Sequence, residues 1–261
     1  MKKLGLSSRL YLAVILILIY WPIFYLIFYS FNSSGTMQSF ESFTLEHFIT
    51  LFSDSRLMLI VVQTFLLAFL SSLFATIIGT MGAMYLQESS KKVHNSLLSF
   101  NNILLVSPDV IIGASFLILF TMIGLQLGFF SVLISHIAFS IPIVVLMVLP
   151  RYKEMDRSLI DAAEDLGANR WQILKEVILP FLTPGILAGF FMAFTYSMDD
   201  FAVTFFVTGN GFSTLAVEIY SRARQGISLE INALSALIFL FSIILVIAYY
   251  FINRESKVKE I

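Results

Sequence analysis

Apolar residues run in six long stretches along this chain, separated by shorter polar segments. The stretches are Leu10–Phe31, Met58–Leu86, Ile103–Ile123, Phe129–Leu149, Phe181–Val207 and Leu229–Ile252. Each reaches the roughly 20 residues that an α-helix needs to cross a bilayer. Inside hydrocarbon the backbone must satisfy its own hydrogen bonds, so apolar runs of this length predict helices. The connections Asn32–Leu57, Gln87–Asn102, Gly124–Gly128, Pro150–Pro180 and Thr208–Ser228 are polar enough to meet water. The pattern predicts an all-α, polytopic membrane protein with six transmembrane helices, built as a single domain over residues 1–261. The apolar run after Met1-Lys2-Lys3 and Arg9 is too long for a signal-peptide core and no small-residue cleavage site follows it, so it reads as the first span.

Composition and charge sharpen this picture. Hydrophobic residues make up 58% of the chain and charged residues only 13%, against about 25% charged in soluble domains. The distribution of Lys and Arg orients the spans. With the N-terminus in the cytoplasm, 13 of the 16 basic residues fall on the cytoplasmic side, and only Arg56, Arg222 and Arg224 fall outside. Both termini are therefore expected in the cytoplasm. The chain has no cysteine, which excludes disulfides and thiolate metal sites, and His47, His94 and His136 lie far apart in sequence. No metal site, no catalytic residue and no nucleic-acid partner is expected.

Small residues recur at helical spacing in two spans: Ala75, Gly79 and Ala83 in the second, and Gly185, Gly189 and Ala193 in the fifth. Residues four apart share one helix face, and small side chains there let helices approach closely. They predict packing seams and no separate function.

The longest cytoplasmic connection, Pro150–Pro180, carries more information. Leu159, Ala162, Ala163 and Leu166 follow helical spacing, as do Trp171, Leu174, Val177 and Ile178. Gly167 between them suits the left-handed conformation that ends a helix. Two short amphipathic helices are thus predicted to meet at a glycine elbow, with Pro180 ending the second or turning it into the next span. A helix lying on lipid usually presents a basic polar face. Here Asp156, Asp161, Glu164 and Asp165 stand against Arg157, which favours a protein partner over an anionic leaflet.

This segment resembles the cytoplasmic signature of ABC importer permeases of the MetI-like, type I family. That signature is an acidic residue, two alanines, three residues, glycine, nine residues, then isoleucine, any residue, leucine, proline. Asp161, Ala162, Ala163, Gly167, Val177, Leu179 and Pro180 occupy those positions, with Asp161 for the usual glutamate and Val177 for isoleucine. The resemblance implies that Asp161, Ala162, Ala163, Gly167, Leu179 and Pro180 form a coupling helix seated in a cleft of an ATPase subunit. The two alanines suit close approach to a groove, and the acid supplies a charged contact. The chain has no phosphate-binding G-x-x-x-x-G-K-[ST] loop and no Gly-Lys pair at all. ATP and Mg are therefore expected on a partner ATPase chain, with no cofactor in this one.

Three carboxylates fall inside predicted spans: Asp109, Asp199 and Asp200. Burying one in lipid without a partner or water costs several kcal/mol, which marks such residues as candidates for function. Asp199 and Asp200 lie roughly 27 Å beyond Phe181 at about 1.5 Å per residue, on the outer side of the bilayer centre. Adjacent residues on a helix point about 100° apart, so one aspartate is expected to line a pathway while its neighbour bonds within the bundle. Tyr196 shares a face with the pair and offers a ring to a cation. Ser107-Pro108-Asp109 reads equally as a helix start, with a capping serine, a proline at the first position and an acid in the first turn. Net negative charge along a pathway favours a cationic cargo, and a long, multiply positive polyamine fits Asp109, Tyr196, Asp199 and Asp200 best.

The chain as a whole is similar to spermidine/putrescine permeases of the C type. Matching stretches are Phe31-Asn32-Ser33-Ser34, Ser107-Pro108-Asp109, Gly124–Phe129, Ser135-His136-Ile137, Ser197-Met198-Asp199-Asp200, Phe206-Val207-Thr208-Gly209 and Asn232-Ala233-Leu234. The resemblance implies a polyamine importer of the bacterial inner membrane working by alternating access. It further implies a second, homologous permease subunit, two copies of an ATPase and an external binding protein. Outside the membrane, Thr214–Arg224 reads as a short amphipathic helix with a Glu218–Arg222 pair, either touching the binding protein or packing on the bundle. Glu41, Glu46 and Asp54 in the first external loop either attract a cation or are simply solvated, and solvation is the favoured reading. The alternatives are a permease for another cationic or small solute, an ion-driven secondary transporter, and a membrane enzyme. No internal repeat supports the second of these, and no nucleophile–base pair supports the third.

Overall fold

The computed structural model describes residues 5–226, 229–240 and 243. Twelve helices account for most of them. These are α1 (Leu6–Tyr29), α2 (Glu46–Ser53), α3 (Ser55–Glu88), α4 (Lys91–Val106), α5 (Asp109–Met122), α6 (Phe129–Lys153), α7 (Ser158–Asp165), α8 (Arg170–Ile173), α9 (Leu179–Asp199), α10 (Ala202–Val207), α11 (Leu215–Gln225) and α12 (Leu229–Leu240). A π-helical turn, Leu174–Ile178, joins α8 to α9 without a break. Among the described residues, β structure is confined to one isolated bridge between Asn32 and Phe43.

Among the described residues, four helices are long and apolar enough to cross a membrane: Ser8–Tyr29, Ser55–Glu88, Phe129–Lys153 and Arg170–Asp199. The predicted third span differs from expectation. Its first residues, Ile103–Val106, belong to α4, and α4 meets α5 at a bend of 105°. Pro108 causes this, because its ring disfavours the helical conformation at Ser107, which is extended at ψ 137°. Much of the expected loop Gln87–Asn102 is therefore helix. The 14 residues of α5 rise only about 21 Å, short of the roughly 30 Å hydrocarbon core. The predicted fifth span also divides. It starts earlier, at Arg170, runs for 30 residues to Asp199, and resumes only in α10. Of the predicted sixth span, Leu229–Leu240 is helical and most of the remainder to Ile252 lies outside the described residues.

The chain forms two compact units, one of residues up to Met58 with those from Ile219, the other of Leu59–Glu218. In the first, the fully buried Asn32 organises the loop after α1. Its Nδ2 donates to Ser34 Oγ and to the carbonyls of Thr36 and Ser39, and its Oδ1 accepts from Glu41 N at 3.0 Å. Asp54 is not a solvated acid. It accepts a 2.9 Å bond from Arg222, which also reaches Glu230 at 3.1 Å.

The second unit packs around α6, the most enclosed of the long helices. Both small-residue stripes close on it. A Cβ on Gly79 would stand 2.7 Å from Val144 Cβ, one on Gly189 would stand 3.2 Å from Val144 Cγ1, and one on Gly185 would stand 3.1 Å from the Met147 carbonyl. Ala75, Ala83 and Ala193 are fully buried in the cluster of Val144, Val145, Val148 and Leu182. A second cluster joins Leu67, Ile112, Phe120, Val132, Phe139, Val203 and Val207.

Candidate functional site

The fifth span breaks at Asp200, and the break gathers the buried polar groups. Asp200 ends α9 in an extended conformation, φ −65° and ψ 118°. Its carboxylate then turns to the start of α10. Oδ1 accepts from Val203 N at 3.2 Å, and Oδ2 accepts from Thr204 N at 2.8 Å and Thr204 Oγ1 at 2.7 Å. An aspartate that takes up free N–H groups in this way stabilises a helix start and competes with continuation of the helix before it.

His136 of α6 reaches the same place. Its Nε2 lies 2.9 Å from Thr204 Oγ1 and 3.4 Å from Asp200 Oδ2, and its Nδ1 lies 2.6 Å from Ser197 Oγ. Ser197 Oγ is in turn 2.9 Å from Ser71 Oγ of α3. The proton of Thr204 is committed to Asp200, so Thr204 accepts from His136 Nε2–H. In the neutral ring Nδ1 then accepts from Ser197. The Ser71 hydroxyl also donates to the Ala68 carbonyl at 3.1 Å. His136, Ser71, Ser197 and Thr204 are buried at 0–1% exposure and Asp200 at 8%.

Asp199 is placed differently. It is the last residue of α9, exposed, and without a hydrogen-bond or ion-pair partner among the described residues. The C-terminal end of a helix carries partial negative charge. Asp199 adds a full negative charge there, whereas Asp200 sits against N–H groups that offset its own. Tyr196, three residues earlier on the same face, donates from its hydroxyl to Asp109 Oδ1 at 2.8 Å. Asp109, at the start of α5, is half-buried. Ser107 does not cap α5: its hydroxyl donates back to the Ile103 carbonyl at 2.7 Å, and Pro108 stands at the cap.

The structure therefore brings Asp109 and Tyr196 into contact, places Asp199 beside Tyr196 on one helix, and turns Asp200 inward. The sequence pattern pointed to Asp109, Tyr196, Asp199 and Asp200. It missed His136, Ser197 and Ser71, although these are among the few polar residues in otherwise apolar runs.

The second candidate region is the elbow. Gly167 has φ +80° and closes α7 with two bonds, Gly167 N to the Glu164 carbonyl and Ala168 N to the Ala163 carbonyl. Asn169 Oδ1 then accepts from Gln172 N at 3.0 Å while Gln172 Oε1 accepts from Asn169 N at 2.8 Å, starting the next helix. That helix does not stop at Pro180 but passes through it into the fifth span. No residue of α7 is buried, and Leu159, Leu166 and Trp171 stand exposed. Asp161 and Ala162 are exposed too, Ala163 and Leu179 are half-buried, and Pro180 is exposed. Arg151, near the end of α6, lies 4.2 Å over the Phe181 ring and ties the base of α9 to the bundle.

A family model described as binding-protein-dependent transport system inner membrane component matches residues 75–256. The chain is 37% identical over 238 residues to the spermidine/putrescine transport system permease protein PotC of Escherichia coli (strain K12), covering 91% of this chain and 90% of that one. It is 33% identical over 247 residues to the putrescine transport system permease protein PotI of the same strain, covering 92% and 88%. Among solved structures, a bacterial ABC transporter involved in the import of the acidic polysaccharide alginate matches with a TM-score of 0.72 at 19% identity, over 96% of this chain and 95% of that one. The inward-facing MetNI methionine ABC transporter matches with a TM-score of 0.58 at 19% identity, over 76% and 95%. These structures share the fold.

Proposed function

The chain belongs to the family of binding-protein-dependent transport system inner membrane components, and we propose that it is the permease through which an ABC importer carries polyamines into a bacterial cell. As a member of that family it is a transport subunit, working with an ATPase on a separate chain and a substrate-binding protein. The finer assembly is part of the proposal: six spans with both termini in the cytoplasm, a second homologous permease beside this one, and two ATPase copies holding ATP and Mg.

The observation that carries the cargo reading is the unpaired Asp199 at the negative end of α9, next to the Tyr196–Asp109 pair. A carboxylate at a helix C-terminus is unfavourable until a cation arrives. An ammonium group would offset that charge, and a second ammonium on the same cargo suits Asp109. The relatives named as spermidine/putrescine and putrescine permeases support the same cargo. Asp200, already satisfied, backs the pathway from behind.

The elbow supplies the drive. Its exposed Leu159, Leu166 and Trp171 suit a groove on the ATPase, with Asp161 making the charged contact. Closure of the ATPase dimer on ATP moves the elbow, α9 follows, and the pathway opens toward the loaded binding protein. Hydrolysis resets it.

The test is uptake of labelled spermidine and putrescine by the reconstituted transporter. A charged hydrogen bond is worth about 1.5–3 kcal/mol, so Asp199→Asn is expected to weaken apparent affinity about ten- to a hundredfold. Unchanged uptake in Asp199→Asn, Asp200→Asn and their double variant would end the carboxylate reading. Uptake that stops when the proton gradient is collapsed, with ATP maintained, would instead establish an ion-driven carrier.

A further inference from the structure

The break in the fifth span holds more polar machinery than a cargo contact requires. We propose that His136 is a positioning residue of the transport pathway: by bonding to both sides of the break it fixes where Asp199 and Tyr196 point. The proposal rests on the reading of Asp199 as a pathway residue.

The geometry is that of a cross-tie. α9 ends at Asp199 and α10 begins at Ala202, so Asp200 and Phe201 alone connect two helical pieces. Two non-helical residues leave the pieces free to swing unless something else joins them. His136 does so with one ring. Nδ1 bonds Ser197 on α9 at 2.6 Å and Nε2 bonds Thr204 on α10 at 2.9 Å. Thr204 then holds Asp200 itself, at 2.7 Å. The ring belongs to α6, the most enclosed long helix, and is fully buried, so the tie is anchored in the core of its unit.

A second route runs from the same ring to the pathway. His136 packs on Phe139 with centroids 4.8 Å apart, and Phe139 meets Tyr196 edge-on at 5.0 Å. Tyr196 carries the hydroxyl that holds Asp109. The hydrogen bonds fix the axial position of the end of α9, and the ring contacts fix the rotation that presents Tyr196 and Asp199. An imidazole suits this work because its two nitrogens lie on different edges of a rigid ring. One donates and the other accepts, matching Thr204 on one side and Ser197 on the other.

The chain has no native cysteine, so an Asp199→Cys variant carries one thiol that reports the setting of that position. The rate at which a cationic methanethiosulfonate reagent modifies it is measured in membranes containing the complete transporter. His136→Phe keeps the ring and removes both nitrogens. It is expected to change the rate about tenfold or more, the weight of two cross-helix hydrogen bonds in a membrane. His136→Gln restores a donor and an acceptor and is expected to return the rate toward that of the parent. Asp200→Asn, which keeps shape and loses charge, is expected to shift it in the same direction as His136→Phe, and it reads the same tie if the Phe variant fails to reach the membrane. Equal rates in all four backgrounds would overturn the proposal, whatever happens to uptake. A shifted rate with unaltered uptake would leave the positioning role standing and remove Asp199 from the pathway.

Discussion

Two adjacent aspartates with the same side chain occupy opposite circumstances. Asp200 accepts three hydrogen bonds from α10 and lies 3.4 Å from His136. Asp199 has no partner among the described residues. Asp200→Asn is therefore expected to lower the stability of the detergent-purified protein by about 1.5–3 kcal/mol, while Asp199→Asn stays within about 0.5 kcal/mol and acts on cargo affinity alone. Thermal unfolding of the two variants side by side checks this; equal losses would contradict it. The 100° offset of helix neighbours made this division legible from sequence. The histidine was not, because His136 and Asp200 are distant in the chain and meet only once α6 packs against the broken span. A second residue-scale prediction concerns Asp54. The Arg222 guanidinium beside it holds its carboxyl below the usual carboxylate range, helped by the Leu57 N–H. A carboxyl lowered on folding contributes stability above its unfolded pKa and loses it as pH falls through the folded one. The gap in melting temperature between wild type and Asp54→Asn should hold from neutral pH to about pH 5 and close below about pH 4. A gap that persists at pH 2 would assign the effect to something other than charge.

Among the elements, apolar length located the first, second and fourth spans well, because long uninterrupted runs leave little choice. It failed where polar side chains or proline intervened. Pro108 turned one expected span into two helices at 105°, and Asp200 ended α9 by capping α10. Both sites sit inside apolar runs, so hydrophobicity alone passes over them. The glycine stripes gave a finer reading: their spacing identified seams, and the seams close on Val144. Gly79→Ala would force a Cβ within 2.7 Å of Val144 Cβ, and overpacking of this kind costs about 1–3 kcal/mol. The companion change Val144→Gly removes the clashing Cβ and should recover part of that loss in the double variant. Failure of the pair to recover stability would mean that α3 and α6 meet differently in the membrane.

For the whole molecule, the family signature lay in one loop, and the second half of that signature proved to be the head of a span. Trp171, just past the elbow, and Asp199 belong to a single helix of 30 residues, Arg170–Asp199, about 45 Å long. The π-helical turn Leu174–Ile178 lies near its head. A π turn takes up one residue more than an α turn, so it sets the angular phase between everything before it and everything after. Trp171 and Asp199 are keyed to one another like the two ends of a camshaft. Deleting one residue from 174–178 would keep the helix and shorten it by only about 1.5 Å, yet rotate one end against the other by about 100°. The expected product is a complex that assembles and hydrolyses ATP while cargo stays outside, an engine running out of gear. Normal uptake per ATP in that deletion would show that length, and not phase, is what the helix transmits.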